Sequence, residues 1–235
     1  MSLRLPSRVS LRLAYVALAA YDAHLAGSAD PRAHAVRRFT KPALMPLLAA
    51  GSAGSGAPRS VLVAQAASWV GDVALQRHSD EALRTGVTAF GAAHLAYTAG
   101  FLATRRSPAA IPATPAAPSA PRPLHTRKRA RFAALAAVNA LALGQAAGRR
   151  NPALRGPVTA YGHVLGLMAT AALSARGTRS GQLLVGAGAL SFVVSDSVLG
   201  TREFVWRDSP PALETAVMAT YTAAQLLLAE GAARL

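Results

Sequence analysis

The sequence contains no cysteine and little charge. The absence of cysteine among its 235 residues excludes disulfides, thiol catalysis and cysteine-based metal sites. Only 15% of the residues are charged, whereas an average soluble domain has about a quarter. With 52% hydrophobic residues and a mean hydropathy of +0.28, the chain is expected to be a membrane protein.

Acidic residues are scarce as well, and the formal net charge is +15. Such an excess would suit a nucleic-acid-binding protein, but the basic residues lie between apolar runs instead of along one helix face. That distribution is typical of a polytopic membrane protein, so we expect no nucleic-acid partner. HExxH, GxSxG and P-loop motifs and paired metal-ligand spacings are missing too, and neither a metal nor another cofactor is expected.

Eight apolar runs, most of them near the length that crosses a bilayer, divide the chain. They lie at 9–27, 40–53, 59–76, 83–103, 130–147, 154–175, 181–200 and 211–231. The predicted fold is therefore all-α, a single polytopic membrane bundle of about eight transmembrane helices over residues 1–235. The second run is short and contains Pro42 and Pro46. We expect it to be tilted, kinked or partly inserted, with a freed carbonyl that needs a partner from a neighbour.

A stretch rich in proline and alanine, residues 105–130, separates the fourth run from the fifth. Its composition and basic end predict a flexible loop inside one domain. With eight spans, lysine and arginine are slightly more frequent on the side of the two termini, mainly because of this loop. By the positive-inside rule both termini are expected in the cytoplasm.

Two apolar runs each contain one acid near their end, Asp72 in SWVGDVAL and Asp196 in GALSFVVSDSVLG. A charge at mid-membrane costs roughly 2.5–3.5 kcal/mol on insertion scales, so such an acid usually faces a cavity or a partner. Spacing alone leaves two interpretations open. The acids are catalytic, or they form ion pairs with Lys41 or with an arginine at a helix end.

Other polar residues repeat at helical spacing, so that at least five helices offer a polar face. The sets are Gln65, Ser68 and Asp72; Phe90, His94 and Tyr97; Tyr161 with Met168; and Glu214, Tyr221 and Gln225. These faces either converge on one pocket or hydrogen-bond helix to helix. Tyr97 and Tyr221 also suit the interfacial belt. Asp22 is expected at the interface, and Arg202, Glu203, Arg207 and Asp208 are expected to form a solvated surface cluster.

Six short motifs follow one another between Lys41 and about Leu228: KPALMPLL, SWVGDVAL, FGAAHLAY, YGHVLGLM, GALSFVVSDSVLG and YTAAQLLL. In this order they resemble the lysoplasmalogenase family of YhhN-like membrane proteins. The departures are a displacement of Phe192 by one position and a long 105–131 loop. The resemblance implies eight transmembrane helices and hydrolysis of the vinyl ether bond of lysoplasmalogens to a fatty aldehyde and a glycerophospho-alcohol.

A vinyl ether is inert to base but labile to acid, because protonation of the carbon distal to oxygen gives an oxocarbenium ion. Two carboxylates in different environments suffice for this chemistry, as in glycoside hydrolysis. We expect Asp72 and Asp196 to be the catalytic pair, one protonated and one ionised, in an order that the sequence leaves open. The residues expected to position water and a lysophospholipid substrate are Lys41, His94, Tyr97, Tyr161, Ser195, Tyr221 and Gln225. Lys41 is a candidate either for the substrate phosphate or for tuning an acid.

Three other functions stay open. A proton-coupled transporter also uses intramembrane acids and histidines, but it should show paired broken helices, of which only the run near Lys41 is a candidate. A hydrolase of another ether or epoxide lipid would use the same two acids. A purely structural membrane protein would not need costly acids on two helices.

Overall fold

The computed structural model describes residues 8–77, 79–105, 124–206 and 208–235, which form eight α-helices without any strand. In chain order these are α1 (Arg8–Ala26), α2 (Pro31–Gly54), α3 (Arg59–Ala74), α4 (Asp80–Ala103), α5 (Leu124–Arg150), α6 (Pro152–Ala172), α7 (Arg179–Phe204) and α8 (Ala212–Ala232). The all-α prediction is confirmed. Each of the eight apolar runs coincides with one helix.

Three of the helices in the described ranges are long and apolar enough to cross a membrane. Their spans are Arg127–Arg150, Arg179–Phe204 and Ala212–Ala232. Alanine is only mildly hydrophobic, and polar residues interrupt the inner faces of the remaining helices. Length and composition therefore indicate a membrane protein, with three spanning candidates instead of the eight that were predicted.

The helix α2 differs from its prediction. It begins at Pro31, where Asp30 accepts a hydrogen bond from the Arg32 N–H and so caps the helix. It then continues as one helix through both internal prolines to Gly54, so it is neither short nor broken. Pro46 has no N–H to donate to the Pro42 carbonyl. The Trp69 indole of α3 donates to that carbonyl instead, at 3.0 Å, which confirms the predicted partner from a neighbouring helix.

The helix α5 also begins earlier than predicted. It starts at Leu124, so the basic end of the predicted 105–130 loop is helical. Residues 106–123, the greater part of that loop, lie outside the described residues.

The helices pack as a closed ring around one large apolar core, and a smaller apolar cluster lies between α5 and α6. Each helix contacts the next in the order α1, α2, α3, α4, α6, α7, α8 and back to α1, while α5 packs against α6 and α7. Small residues permit close approach, as expected for a helical membrane bundle. A Cβ on Gly188 of α7, for example, would lie only 2.9 Å from the Leu228 backbone nitrogen of α8.

Candidate functional site

A cavity of about 820 Å³ lies inside one end of the ring. Its lining comes from the C-terminal parts of α1, α3, α5 and α7 and from the N-terminal parts of α2, α4, α6 and α8. The cavity therefore lies at the end with the α1–α2, α3–α4, α5–α6 and α7–α8 connections. Its volume falls within the roughly 300–1,000 Å³ that is typical of small-molecule sites.

Six of the nine candidate site residues line this cavity: Lys41, Asp72, Tyr161, Ser195, Asp196 and Tyr221. The other three lie behind the lining: His94 contacts Tyr161, Gln225 contacts Tyr221, and Tyr97 is linked to the lining through Gln225. The two acids come from helices far apart in the sequence, yet they are near enough for a Coulomb interaction between them. The ring thus brings both carboxylates to one chamber.

Asp72 is held by partners on two other helices. Its side chain is 2% exposed. The Tyr221 hydroxyl of α8 donates a hydrogen bond to Asp72 Oδ2 at 2.6 Å. Lys41 Nζ of α2 lies 3.8 Å from Asp72 Oδ1. Both carboxylate oxygens therefore have a partner, and the ion pair left open by the sequence is present for this acid.

A second layer of polar groups supports Asp72. Gln225 donates from Nε2 to Ser68 Oγ at 2.9 Å and approaches the Tyr221 hydroxyl at 3.4 Å. Its Oε1 accepts from the Tyr97 hydroxyl at 2.8 Å. Tyr97 and Tyr221 are buried, so the interfacial-belt alternative is wrong for both. We call the set Lys41, Ser68, Asp72, Tyr97, Tyr221 and Gln225 the Asp72 network.

Asp196 has a sparser environment. The Tyr161 hydroxyl of α6 donates a hydrogen bond to Asp196 Oδ2. His94 Nε2 of α4 lies 3.1 Å from the same hydroxyl. Among the described residues, no cation pairs with Asp196, and Oδ1 makes no hydrogen bond. His94 Nδ1 is buried and has no partner in the described part of the chain. We call His94, Tyr161 and Asp196 the Asp196 network.

An aromatic side chain separates the two networks. The Phe192 ring of α7 packs edge-on against His94, with 4.6 Å between ring centroids, and against Tyr221, with 5.5 Å. Phe90 of α4 makes a third edge-on contact, to Tyr221, at 5.8 Å. Phe192 is 1% exposed, so its ring is buried between the two networks behind the cavity that both acids line.

Two predicted polar residues have structural partners. Ser195 Oγ donates to the Val217 carbonyl of α8 at 3.0 Å, so its proton ties α7 to α8 although the residue lines the cavity. Gln65 shares a buried face with Ser68 and Asp72, as predicted, but it donates to Ser52 Oγ of α2 at 2.9 Å. That contact lies away from both networks.

Charged groups that the sequence analysis placed at the surface lie in the cavity lining or contact it. Asp22 is fully buried, not interfacial; it accepts a hydrogen bond from Thr40 at 2.5 Å and lies 3.4 Å from Arg37. Arg202 and Glu203 belong to the last turn of α7, where they contact Glu214 and Arg150 respectively.

The expected loop cluster is therefore wrong in its position and partners, because α7 continues past the predicted end of its apolar run, although both side chains remain partly exposed, as expected. Asp208 is exposed, as expected, and Arg207 lies outside the described residues. A usable signal was present in the spacing, since Glu203 follows Asp196 by seven residues and so shares its helix face.

The site consists of carboxylates, phenols and cations. In the ranges 8–77, 79–105, 124–206 and 208–235, no three histidine or acidic side chains are arranged to hold a metal ion. The residues present can donate a proton, accept one, and stabilise charge. They can do so in a chamber whose remaining lining is largely apolar.

Comparisons with known proteins identify the family of the chain. The model of the YhhN family matches residues 36–232. Searches of curated proteins and of solved structures found no significant match. The matched region contains both networks and all six motifs. The chain therefore belongs to the YhhN family, which includes lysoplasmalogenases.

Proposed function

We propose that the protein is a membrane hydrolase that cleaves the vinyl ether bond of lysoplasmalogen-type lysophospholipids, releasing a fatty aldehyde and a glycerophospho-alcohol. One observation supports this most directly. A single cavity contains two carboxylates in unlike surroundings, Asp72 beside Lys41 and Asp196 beside a phenol only. Acid-catalysed hydrolysis through an oxocarbenium ion can be carried out by such a pair.

Asp196 is assigned as the general acid. A buried carboxylate without a cation is costly in its charged form, so this residue is the better place for the proton. Tyr161 donates to Oδ2, which leaves Oδ1 to hold the proton and present it to the cavity. Transfer of that proton to the vinyl carbon distal to oxygen produces the oxocarbenium ion and leaves Asp196 ionised.

Asp72 is assigned as the ionised partner, because Lys41 offsets its negative charge. It stabilises the oxocarbenium ion and takes a proton from the water that attacks the cationic carbon. The product is a hemiacetal. Its collapse passes the hydroxyl proton to Asp196 and the proton on Asp72 to the leaving ether oxygen. Both carboxyls return to their starting states, and one water is consumed for each aldehyde and alcohol formed.

The cavity suits an amphiphile. Its inner lining includes Phe90, Leu165 and Met218, which can contact an alkenyl chain, whereas its mouth is rich in arginine. Large apolar side chains are also exposed on the outer surface of the bundle, among them Leu13 (66%), Phe39 (78%) and Leu135 (69%). Outward apolar side chains on helices that are not strongly apolar overall support a bundle in which all eight helices span the membrane. With both termini in the cytoplasm, the cavity opens on the opposite side.

The test is hydrolysis of a 1-alkenyl lysophospholipid by the purified protein in deuterated water. Protonation of the vinyl carbon predicts one deuterium at the carbon next to the aldehyde carbonyl, trapped by immediate reduction to the alcohol. In ¹⁸O-water the glycerol product should keep its original oxygen, because the bond between that oxygen and the vinyl carbon breaks.

Two outcomes would overturn the proposal. One is the absence of aldehyde from well-folded protein in bilayers. The other is ¹⁸O in the glycerol product, which would mean cleavage on the glycerol side. A panel of other ether and epoxide lipids, run in parallel, separates the vinyl ether reaction from the related hydrolase activity. Aldehyde release faster from another class would reassign the substrate.

A further inference from the structure

The cavity has more cationic than acidic side chains in its lining. The cations are Arg37, Arg38, Lys41, Arg77, Arg150 and Arg202, and the acids are Asp72, Asp196, Glu203 and Glu214. Four of the six cations already have acidic partners. The pairs are Arg37 with Asp22 and Glu214, Lys41 with Asp72, Arg150 with Asp80 and Glu203, and Arg202 with Glu214.

The two remaining cations, Arg38 and Arg77, have no acidic partner among the described residues. Both are exposed and both line the cavity. The acids at the mouth, Glu203 and Glu214, are engaged by other arginines. The open end of the cavity is therefore left with two uncompensated positive charges, which are available to an anionic ligand.

The register of α2 against α3 places both arginines next to the carboxylates. Ser52 contacts Gln65, and Lys41 contacts Asp72, so the two helices run antiparallel. Arg38 precedes Lys41 by three residues, a rise of about 4.5 Å along the helix. Arg77 follows Asp72 by five residues, past the end of α3. Both arginines consequently lie on the mouth side of the Lys41–Asp72 pair.

We propose that Arg38 and Arg77 bind the phosphate of the substrate head group. The inference rests on the proposed function of the same cavity. Only a glycerol unit separates a vinyl ether from its phosphate, so a substrate with its ether at the carboxylates has its phosphate about one helical turn away. Guanidinium groups bind phosphate through paired, charge-assisted hydrogen bonds. Lys41, the earlier candidate for this role, is engaged by Asp72.

The experiment compares a 1-alkenyl-glycerophosphate with the matching neutral 1-alkenylglycerol, which lacks the phosphate. Arg38→Gln and Arg77→Gln should each lower kcat/KM on the phosphorylated substrate by about tenfold to a hundredfold. The same variants should hydrolyse the neutral lipid at the wild-type rate. Arg32→Gln is the matched control, because Arg32 is an exposed arginine on α2 outside the cavity lining. Arg38→Lys should recover part of the loss.

A binding measurement separates this inference from the hydrolase proposal. A 1-alkyl-glycerophosphate cannot be hydrolysed as a vinyl ether, and its affinity should fall in both glutamine variants but not in Arg32→Gln. That result supports the subsite even for a protein that releases no aldehyde. Unchanged affinity, or equal losses on the phosphorylated and neutral substrates, overturns the subsite while leaving hydrolysis intact. Competition by millimolar inorganic phosphate as strong as that of the lipid would overturn the head-group assignment.

Discussion

Asp72 and Asp196 are the same residue type, lie in the same cavity, and are surrounded differently. Asp72 has a lysine at 3.8 Å and a phenol at 2.6 Å, one on each oxygen. Asp196 has a phenol on one oxygen, and in the described ranges it has no cation. The difference gives the two carboxyls unlike electrostatic surroundings, on which the proposed division of their roles depends. The neighbouring helices distinguish the two acids, because α2 supplies Lys41 to Asp72 whereas α6 supplies Tyr161 to Asp196.

The two networks also differ in how completely they are satisfied. Gln225 uses both ends of its amide to join Ser68, Tyr97 and Tyr221. The Asp196 network ends at His94, whose Nδ1 is buried and unpartnered among the described residues. We therefore expect changes in the Asp72 network to cost more stability, and changes in the Asp196 network to cost more activity.

The largest effect is expected from the acids themselves. Asp196→Asn removes the proton donor and should lower kcat for aldehyde release by about a thousandfold, near the middle of the range for general acids. Asp72→Asn should cost less, about a hundredfold, because water is still able to attack without a base. Asp208→Asn, an exposed acid outside the cavity, is the control. A larger loss for Asp72→Asn would exchange the two roles.

Substitution of Lys41 tests whether charge compensation creates the difference between Asp72 and Asp196. Lys41→Met leaves Asp72 as a buried acid without its cation. The variant should lose activity about as Asp72→Asn does and lose up to about 3 kcal/mol of stability. The double variant, Lys41→Met with Asp72→Asn, should be less destabilised than the sum of the singles. Thermal unfolding in detergent measures the stability of the single and double variants, and Lys128→Met, which changes an exposed lysine, is the control. Strict additivity would mean that the 3.8 Å contact contributes nothing.

The two phenols provide a smaller, paired test. Tyr161→Phe removes the one hydrogen bond that the Asp196 carboxylate makes among the described residues, and it should lower kcat about tenfold. Tyr221→Phe leaves Asp72 with Lys41 and should lower kcat only about threefold. Steady-state assays measure the loss of kcat in each variant. Tyr21→Phe, on the exposed face of α1, is the control. Equal losses would remove the proposed asymmetry between the networks.

The smallest effect on catalysis is expected behind the cavity wall. Gln225→Leu leaves Tyr97 and Ser68 without their partner and should destabilise the protein by about 2 kcal/mol. Its kcat should change by less than a factor of about three, since Tyr221 still donates to Asp72. The melting temperature reports the stability and the steady-state rate reports kcat. Both are compared with those of the control variant Gln182→Leu, which changes an exposed glutamine. A large loss of rate at unchanged stability would place Gln225 in the chemistry.

Much of the helical framework was predictable from the sequence. Apolar runs with polar residues three and four apart located the inner faces, and His94, Tyr97, Gln225 and Asp72 are buried as that periodicity implied. Helix ends were less predictable. Arg37 and Arg38 precede the apolar run of α2, and hydropathy does not register a helix that continues into a polar turn.

The partners of each acid were not predictable, because they depend on contacts between helices distant in the chain. Asp196 meets Tyr161 across α6 and α7, and Asp72 meets Tyr221 across α3 and α8. Helical spacing shows that two residues share a face. It does not show which helix that face packs against, and small residues such as alanine and glycine fit many neighbours equally well.

The sequence by itself determined an all-helical chain, the burial of its inner polar faces, and the presence of one acid in each of two apolar runs, since helical periodicity and hydropathy are local properties. Only the tertiary structure decided that Lys41 compensates Asp72 and not Asp196, and that Arg38 and Arg77 at the mouth have no acidic partner in the part of the chain that the structure describes. Electrostatic energy depends on distance and burial, and both are set by the closure of the ring and not by position along the chain.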